Sequence, residues 1–521
     1  MNPTAADRHT IPSAFGVVAE AHPDEQVMLG SGDPWTFSDL DRSSDGVASV
    51  LLERGVVAGD RIGLYCPNSP EFAASYLGIL KVGGTVVPIN LMLNRKEFAY
   101  ILADSGATGL LYHSVFAEAA EGIRASVSGL QFALPTHAGD GKPAATVWGE
   151  ELQTRVRGLS IDPAEHLAAI LYTSGTTGRP KGAMLTHENL IANSRSVMQA
   201  LGLQPGRDRV LVVLPMFHAF AATVGMLTPL LHRLCLVIVA RFEPKLVSAA
   251  VAEYGATVFL GVPSMYSLML RADAETIAQW RSVRLCVSGG AALPKAVMQS
   301  FEKRFSVPVL EGDGPTECSP VTCVNPVEGP RKPGSVGLPI PGVEMRIADG
   351  TGETLADGQH GEVCVRGPNV MKGYWGLQEA TAESFFGDWF RTGDLGYRDS
   401  DGYFFLVDRI KDLIITNGMN VYPRVIEEVL FRHPDVADAA VIGEPHRLHG
   451  EIPVACVVAR EGAEADPAEL REWCKEYLGR HEIPRKVLLC ESLPRNAAGK
   501  VLKRELRRQG ELERGVDLGS V

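Results

Sequence analysis

Hydrophobic and polar positions fall into two alternating textures over the first three hundred residues. Mostly apolar runs at Arg61–Cys66, Thr85–Ile89, Arg209–Leu214, Leu234–Val239, Thr257–Gly261 and Val283–Ser288 read as buried strands. Between the first two, Ser69–Lys81 spaces its apolar residues three and four apart, as a helix with a buried face does. This alternation predicts helices layered on a substantially parallel sheet. From Gly334 the texture changes: Gly and Pro become frequent, and short strands are expected at Val343–Ile347, Gly361–Arg366 and Tyr403–Val407. Beyond Asp408 comes a smaller pattern. It predicts a helix at Arg424–Phe431, strands at Ala437–Gly443 and Pro453–Ala459, and a helix at Pro467–Leu478. The expected fold is α/β with an α+β C-terminal part. A large N-terminal domain spans 1–407, with a β-rich subdomain over about 334–407, and a small mobile α/β domain spans 408–521.

A chain of 521 residues is long for one core, which agrees with more than one domain. The net charge of −12 argues against nucleic acid as the main partner. The basic run Lys500–Arg508 is a local exception and reads as a solvated helix face. Nine cysteines are scattered without a Cys-x-x-Cys pair, and Cys318 and Cys323 lack zinc partners at the usual spacing. They read as reduced thiols of a cytoplasmic protein. The N-terminus lacks the apolar core of a signal peptide, and Leu-Gly-Ser-Val521 is not a peroxisomal address. The most apolar stretch, Ala219–Ala240, is interrupted by His232 and Arg233, so no integral membrane segment is expected.

Candidate chemistry concentrates in Tyr172-Thr173-Ser174-Gly175-Thr176-Thr177-Gly178-Arg179-Pro180-Lys181-Gly182. Glycines let backbone N–H groups approach an oxyanion closely, hydroxyls add donors, and Arg179 and Lys181 add charge. The stretch follows the apolar run Leu167–Leu171 and precedes another strand-like run, Ala183–Leu185. It therefore reads as a polyphosphate clasp between strands. It is not the P-loop, whose lysine is followed by Ser or Thr and a helix.

This segment closely resembles the signature loop of the adenylate-forming superfamily, which includes acyl-CoA synthetases, peptide-synthetase adenylation domains and luciferases. The resemblance runs from about residue 30 to about 508, with the motifs in family order. It implies that Thr173–Gly178 and Lys181 hold ATP phosphates, with Thr173 also near the metal and the reacting centre. Taken alone, His218 in Pro215–Ala221 reads as a core histidine. The resemblance makes that segment a wall of the acyl pocket, with His218 near the carboxylate and with Phe217, Phe220, Met265 and Gly289 as acyl contacts. Ser288–Pro294, with Gly290 and Ala291, resembles the turn beside adenine. Glu311-Gly312-Asp313-Gly314-Pro315-Thr316-Glu317 resembles the adenine, phosphate and magnesium segment. There Thr316 would donate to the α-phosphate, and Glu317 is a hard oxygen ligand suited to Mg²⁺. Position 313 departs from the family, which usually has an aromatic residue stacked on adenine.

Farther along, Asp388–Gly396 matches the ribose-binding segment. Its Asp394 would accept hydrogen bonds from both ribose hydroxyls. The stretch Gly402–Pro423 resembles the hinge segment. Asp408 would be the hinge, Arg409 a ribose contact, and Gly418 with Met419 contacts for the pantetheine arm of CoA. Pro494–Glu505 resembles the motif that carries the catalytic lysine, Lys500.

These likenesses imply an AMP-forming acyl-CoA synthetase of fatty-acid metabolism, with ATP, Mg²⁺ and CoA. The pocket segment Pro215–Thr223 has no acid to hold an α-amine, and no carrier domain is expected after the lysine motif. The apolar character of Phe217, Phe220, Ala221, Ala222, Met226, Met265 and Tyr266 points to a hydrophobic, fatty acid. An aryl or alicyclic acid is the alternative. An inactive nucleotide-binding homologue, suggested by Asp313, is a rival of another class. The partners are small molecules, and a homodimer is left open.

Overall fold

Ser69 accepts a hydrogen bond from the Phe72 amide at 3.3 Å and starts the helix Pro70–Lys81, which has proline in its first turn. That helix carries the crossover between the parallel strands Arg61–Tyr65 and Thr85–Pro88. The computed structural model describes residues 9–136, 159–173, 179–496 and 499–513. Among them four sheets form.

The first sheet has six strands, in the order Phe132–Pro135, Gly109–Tyr112, Arg61–Tyr65, Thr85–Pro88, Leu167–Thr173 and Lys181–Thr186. Its last pair is antiparallel, with Tyr172 opposite Gly182 and Thr173 opposite Lys181. The second sheet has nine strands, and its centre is parallel: Val309–Asp313, Leu285–Ser288, Val258–Gly261, Arg209–Val212, Cys235–Ile238 and Gln26–Leu29. Alternate residues of these strands face opposite layers, as the two-residue period requires. Val210, Val212 and Leu260 join the core shared with the first sheet, while Leu211 and Phe259 join a separate core with Tyr266, Trp280 and Phe301. Ligands of such sheets bind beyond the C-terminal strand ends. Leu214, Val262, Gly289 and Asp313 occupy those ends.

The Gly- and Pro-rich region forms a five-stranded antiparallel sheet that includes Glu344–Ala348, Gly361–Arg366, Trp389–Arg398 and Phe404–Arg409. A last five-stranded sheet lies in the C-terminal part. Val436–His446 and Gly450–Ala459 form its long antiparallel pair, and Lys486–Leu489 lies parallel to the latter. The helices Pro423–Phe431 and Pro467–Tyr477 pack on it around Val441, Val457 and Leu470. The fold is mixed α/β, as the alternating pattern predicts.

The run Ala219–Ala240 divides into a π-helical turn at Ala221–Leu227, a short helix at Thr228–Leu231 and a strand at Cys235–Ile238. The Thr223 carbonyl accepts the i+5 amide of Thr228 that defines the widened turn, and the Thr228 hydroxyl donates to the same oxygen at 2.8 Å. Among the described residues no helix is long and apolar enough to cross a membrane.

Candidate active site

The strand ends converge on a cavity of about 60 Å³. His218, Phe220, Gly289, Gly290, Gly312, Asp313, Gly314 and Thr316, all expected from the sequence, line it. Glycine is required at 314, because a Cβ there would lie 1.7 Å from the Pro320 carbonyl oxygen. At 289 a Cβ would approach the Phe220 ring at 3.3 Å, so the ring lies across the turn. Phe217 and Met265 pack against the apolar core and do not line the cavity. Its inner wall comes from residues the sequence did not single out, among them Val197, Leu201, Val324 and Ile340.

On the phosphate side, residues 174–178 of the clasp lie outside the described residues. Its two supporting strands are described. The Lys181 ammonium sits 5.1 Å from the centre of the Tyr374 ring, and the Tyr374 hydroxyl donates to Glu317 Oε1 at 2.8 Å. Tyr374 therefore ties the clasp cation to the expected metal ligand. No motif pointed to it, since the contact closes across 57 positions of sequence.

On the ribose side, Asp394 and Arg409 face each other on paired strands, and Arg409 Nε lies 2.7 Å from Asp394 Oδ1. The Asp394 amide donates to Thr392 Oγ1 at 3.0 Å, which fixes the turn. Asp408, one residue before Arg409, accepts from the amides of Arg409 and Arg424 at 2.8 and 3.0 Å. Burial raises its carboxyl above the usual range, against the opposing charge of Lys503.

The lysine loop folds back on itself. The Lys500 amide donates to Asn496 Oδ1 at 2.9 Å, and Gly499 has a left-handed φ of 77°. A Cβ at Gly499 would lie 2.9 Å from Val262 Cγ2, so this C-terminal loop is pressed against the end of a central strand of the large sheet. Lys500 reaches a group of charges in the cleft. The protein around it and the cations Arg409 and Lys411 pull its ammonium below the ordinary lysine range, while Asp394 and Asp313 oppose them. His218 is held neutral, pushed down to about 4 by burial and by the Lys500 charge. Asp313 is pushed up to about 6 by burial and by Asp394, with Arg409 and Lys500 opposing.

Glu311 lies on the strand that carries Asp313 and is 1% exposed. It accepts from the Leu293 amide at 2.9 Å, and Arg424 Nη2 stands 3.9 Å away. Burial lifts its carboxyl to about 7 even so. Arg424 also donates to the Leu406 carbonyl at 2.7 Å, so one side chain links the nucleotide segment to the expected hinge. Ala291 and Met419 do not line the cavity, nor does Gly418. Gly418 stands at an open turn, with φ 76° and no atom within 4 Å of where a Cβ would be.

The sequence comparisons agree with this geometry. Residues 15–375 match the model of the AMP-binding enzyme family, and residues 425–500 match that of the AMP-binding enzyme C-terminal domain. The chain belongs to the AMP-binding enzyme family. It is 33% identical to a long-chain-fatty-acid–CoA ligase of Bacillus subtilis, over 95% of this chain and 94% of that one. It is 37% identical to a sulfoacetate–CoA ligase of Cupriavidus necator, over 95% of this chain and 97% of that one. The crystal structure of ATP-bound MatB from Rhodopseudomonas palustris superposes with a TM-score of 0.87 at 34% identity, over 96% of this chain and 99% of that one.

Proposed function

We propose that the protein is an AMP-forming acyl-CoA synthetase that activates a hydrophobic carboxylic acid. The observation that carries this reading is the entry of Lys500 into the charge group of Asp394, Arg409 and Asp313 beside His218, with Gly499 seated on Val262. A carboxylate is a poor acyl donor because its leaving group would be oxide. An acid oxygen instead attacks the α-phosphorus of ATP. A P–O bond forms to the acid, the bond to the β-phosphate breaks, and pyrophosphate leaves. Two anions must meet, so the site needs positive charge more than a base, because the acid is already ionised near neutral pH.

Lys500 meets this need by bridging the acid and the α-phosphate. Thr316 and the clasp orient the phosphates, and Asp394 with Arg409 holds the ribose. Neutral His218 contacts the carboxylate. One carboxylate, Glu317, and the Thr173 hydroxyl suit Mg²⁺, which commonly binds through one or two carboxylates plus substrate phosphates. Mg²⁺ bound there would neutralise phosphate charge.

In the second step a thiol sulfur attacks the acyl carbonyl and AMP leaves. We assign the hinge to Asp408 and place the domain boundary there. Rotation about it withdraws Lys500 and brings Gly418 and Met419 toward the thiol path. The test is release of pyrophosphate and AMP from ATP that depends on a hydrophobic acid, with acyl-CoA detected by mass. ATP binding without acid-dependent pyrophosphate would favour an inactive homologue.

A further inference from the structure

The cavity limits what acid can enter. Its volume is about 60 Å³. A water molecule needs roughly 10–15 Å³ of such space, so about four to six fit. A methylene group is close to a water molecule in size, so the cavity takes about that many carbons.

Val197 and Leu201, at the end of the helix His187–Ala200, close the inner end, with Val324 and Ile340 opposite. These four residues are 1–6% exposed and belong to the main core. A close-packed wall of this kind offers no passage for a longer chain. The neighbouring void of about 10 Å³ is lined by His218, Phe220 and Gly290 but by none of these four wall residues, so it does not extend the cavity past them. Of the residues lining the main cavity, His218 and Asp313 are the ones that ionise, and both belong to the reacting centre. Among the described residues the cavity wall holds no cation to meet a second carboxylate or a sulfonate, and burying such a charge unpaired is costly.

Resting on the ligase reading above, we propose that the substrate is a compact apolar monocarboxylic acid. It is a straight chain of about four to six carbons or a single-ring acid, and Leu201 and Ile340 set the limit. Long-chain acids and acids with a second charge are excluded.

The test measures kcat/KM for AMP formation with CoA present, using butanoate, hexanoate, octanoate, dodecanoate, hexadecanoate, benzoate and succinate. The optimum is expected at or below hexanoate or at benzoate, with hexadecanoate and succinate at least about ten-fold poorer. Leu201→Ala and Ile340→Ala, made separately so that one poorly folding variant does not decide the matter, are each expected to move the straight-chain optimum toward longer acids. Octanoate or a longer acid as the best wild-type substrate would overturn the size limit, and succinate the charge limit, each leaving the ligase reading standing. AMP formation from none of the acids would overturn both. An unmoved optimum in both folded variants would overturn the assignment of the wall.

Discussion

Arg409 and Asp394 stand opposite each other on neighbouring antiparallel strands, their side chains joined at 2.7 Å. The pairing leaves Asp394 with lone pairs that suit the ribose hydroxyls we assign to it, beside a guanidinium that holds the carboxylate in place. Asp394→Asn keeps the shape and removes the charge. Hydrogen bonds to charged groups are worth about 1.5–3 kcal/mol, so the KM for ATP is expected to rise roughly ten- to hundred-fold. A KM within twofold of wild type in a folded variant would take the ribose role away from Asp394.

Lys500→Ala removes the bridging ammonium. Adenylation is expected to fall by several kcal/mol in barrier, roughly the scale of one electrostatic catalytic group, while thioesterification of supplied acyl-adenylate persists. Equal loss of both half-reactions would contradict the assignment. The alkaline limb offers a second readout. Lys500 acts as its ammonium, so adenylation is present below its pKa and lost above it. Because desolvation by the cleft and the neighbouring cations lower that pKa, kcat/KM is expected to decline at a pH below the ordinary lysine value, and Lys500→Arg to move the decline upward.

Asp408→Pro fixes φ and removes the amide at a residue whose carboxylate joins the amides of Arg409 and Arg424. If rotation is absorbed here, one half-reaction survives far better than the other when each is assayed alone. Wild-type rates for both would place the hinge elsewhere.

Much of the architecture is legible in the residue pattern, because buried parallel strands need unbroken apolar runs. Arg61–Tyr65, Val258–Gly261 and Pro423–Phe431 lie within a residue or two of their predicted ends. The π-turn at Ala221–Leu227 is not legible, since a shift from i+4 to i+5 bonding leaves no mark on a wholly apolar stretch. Among the site residues, His218, Phe220, Asp313 and Thr316 meet at one cavity as their motifs imply. Tyr374 and Arg424 act through contacts distant in sequence, and Val197 and Leu201 look like any other core face of a helix. Phe217 and Met265, acyl contacts by the resemblance, pack against the core and are absent from the lining of this cavity.

Asp313 stands where the resemblance implies an aromatic residue stacked on adenine. Its carboxylate lies among Asp394, Arg409 and Lys500 and lines the cavity beside Gly312 and Gly314. We expect it to accept from the adenine amino group, so that ATP is preferred to GTP and Asp313→Ala weakens that preference. Asp313→Tyr is expected to restore ATP affinity by stacking, worth about 1–3 kcal/mol. Because Asp313 also supports the Lys500 ammonium, Asp313→Asn is expected to shift the alkaline limb to lower pH. Unchanged ATP/GTP discrimination together with an unmoved limb would show that the carboxylate does neither.

The central claim is that the acid oxygen itself attacks the α-phosphorus. Turnover of a hydrophobic acid labelled with ¹⁸O in both carboxylate oxygens, with ATP and CoA, tests it by mass spectrometry of the products. The predicted result is AMP carrying one ¹⁸O, unlabelled pyrophosphate, and a thioester that keeps the other label. Unlabelled AMP, or label in ADP or inorganic phosphate, would contradict the account.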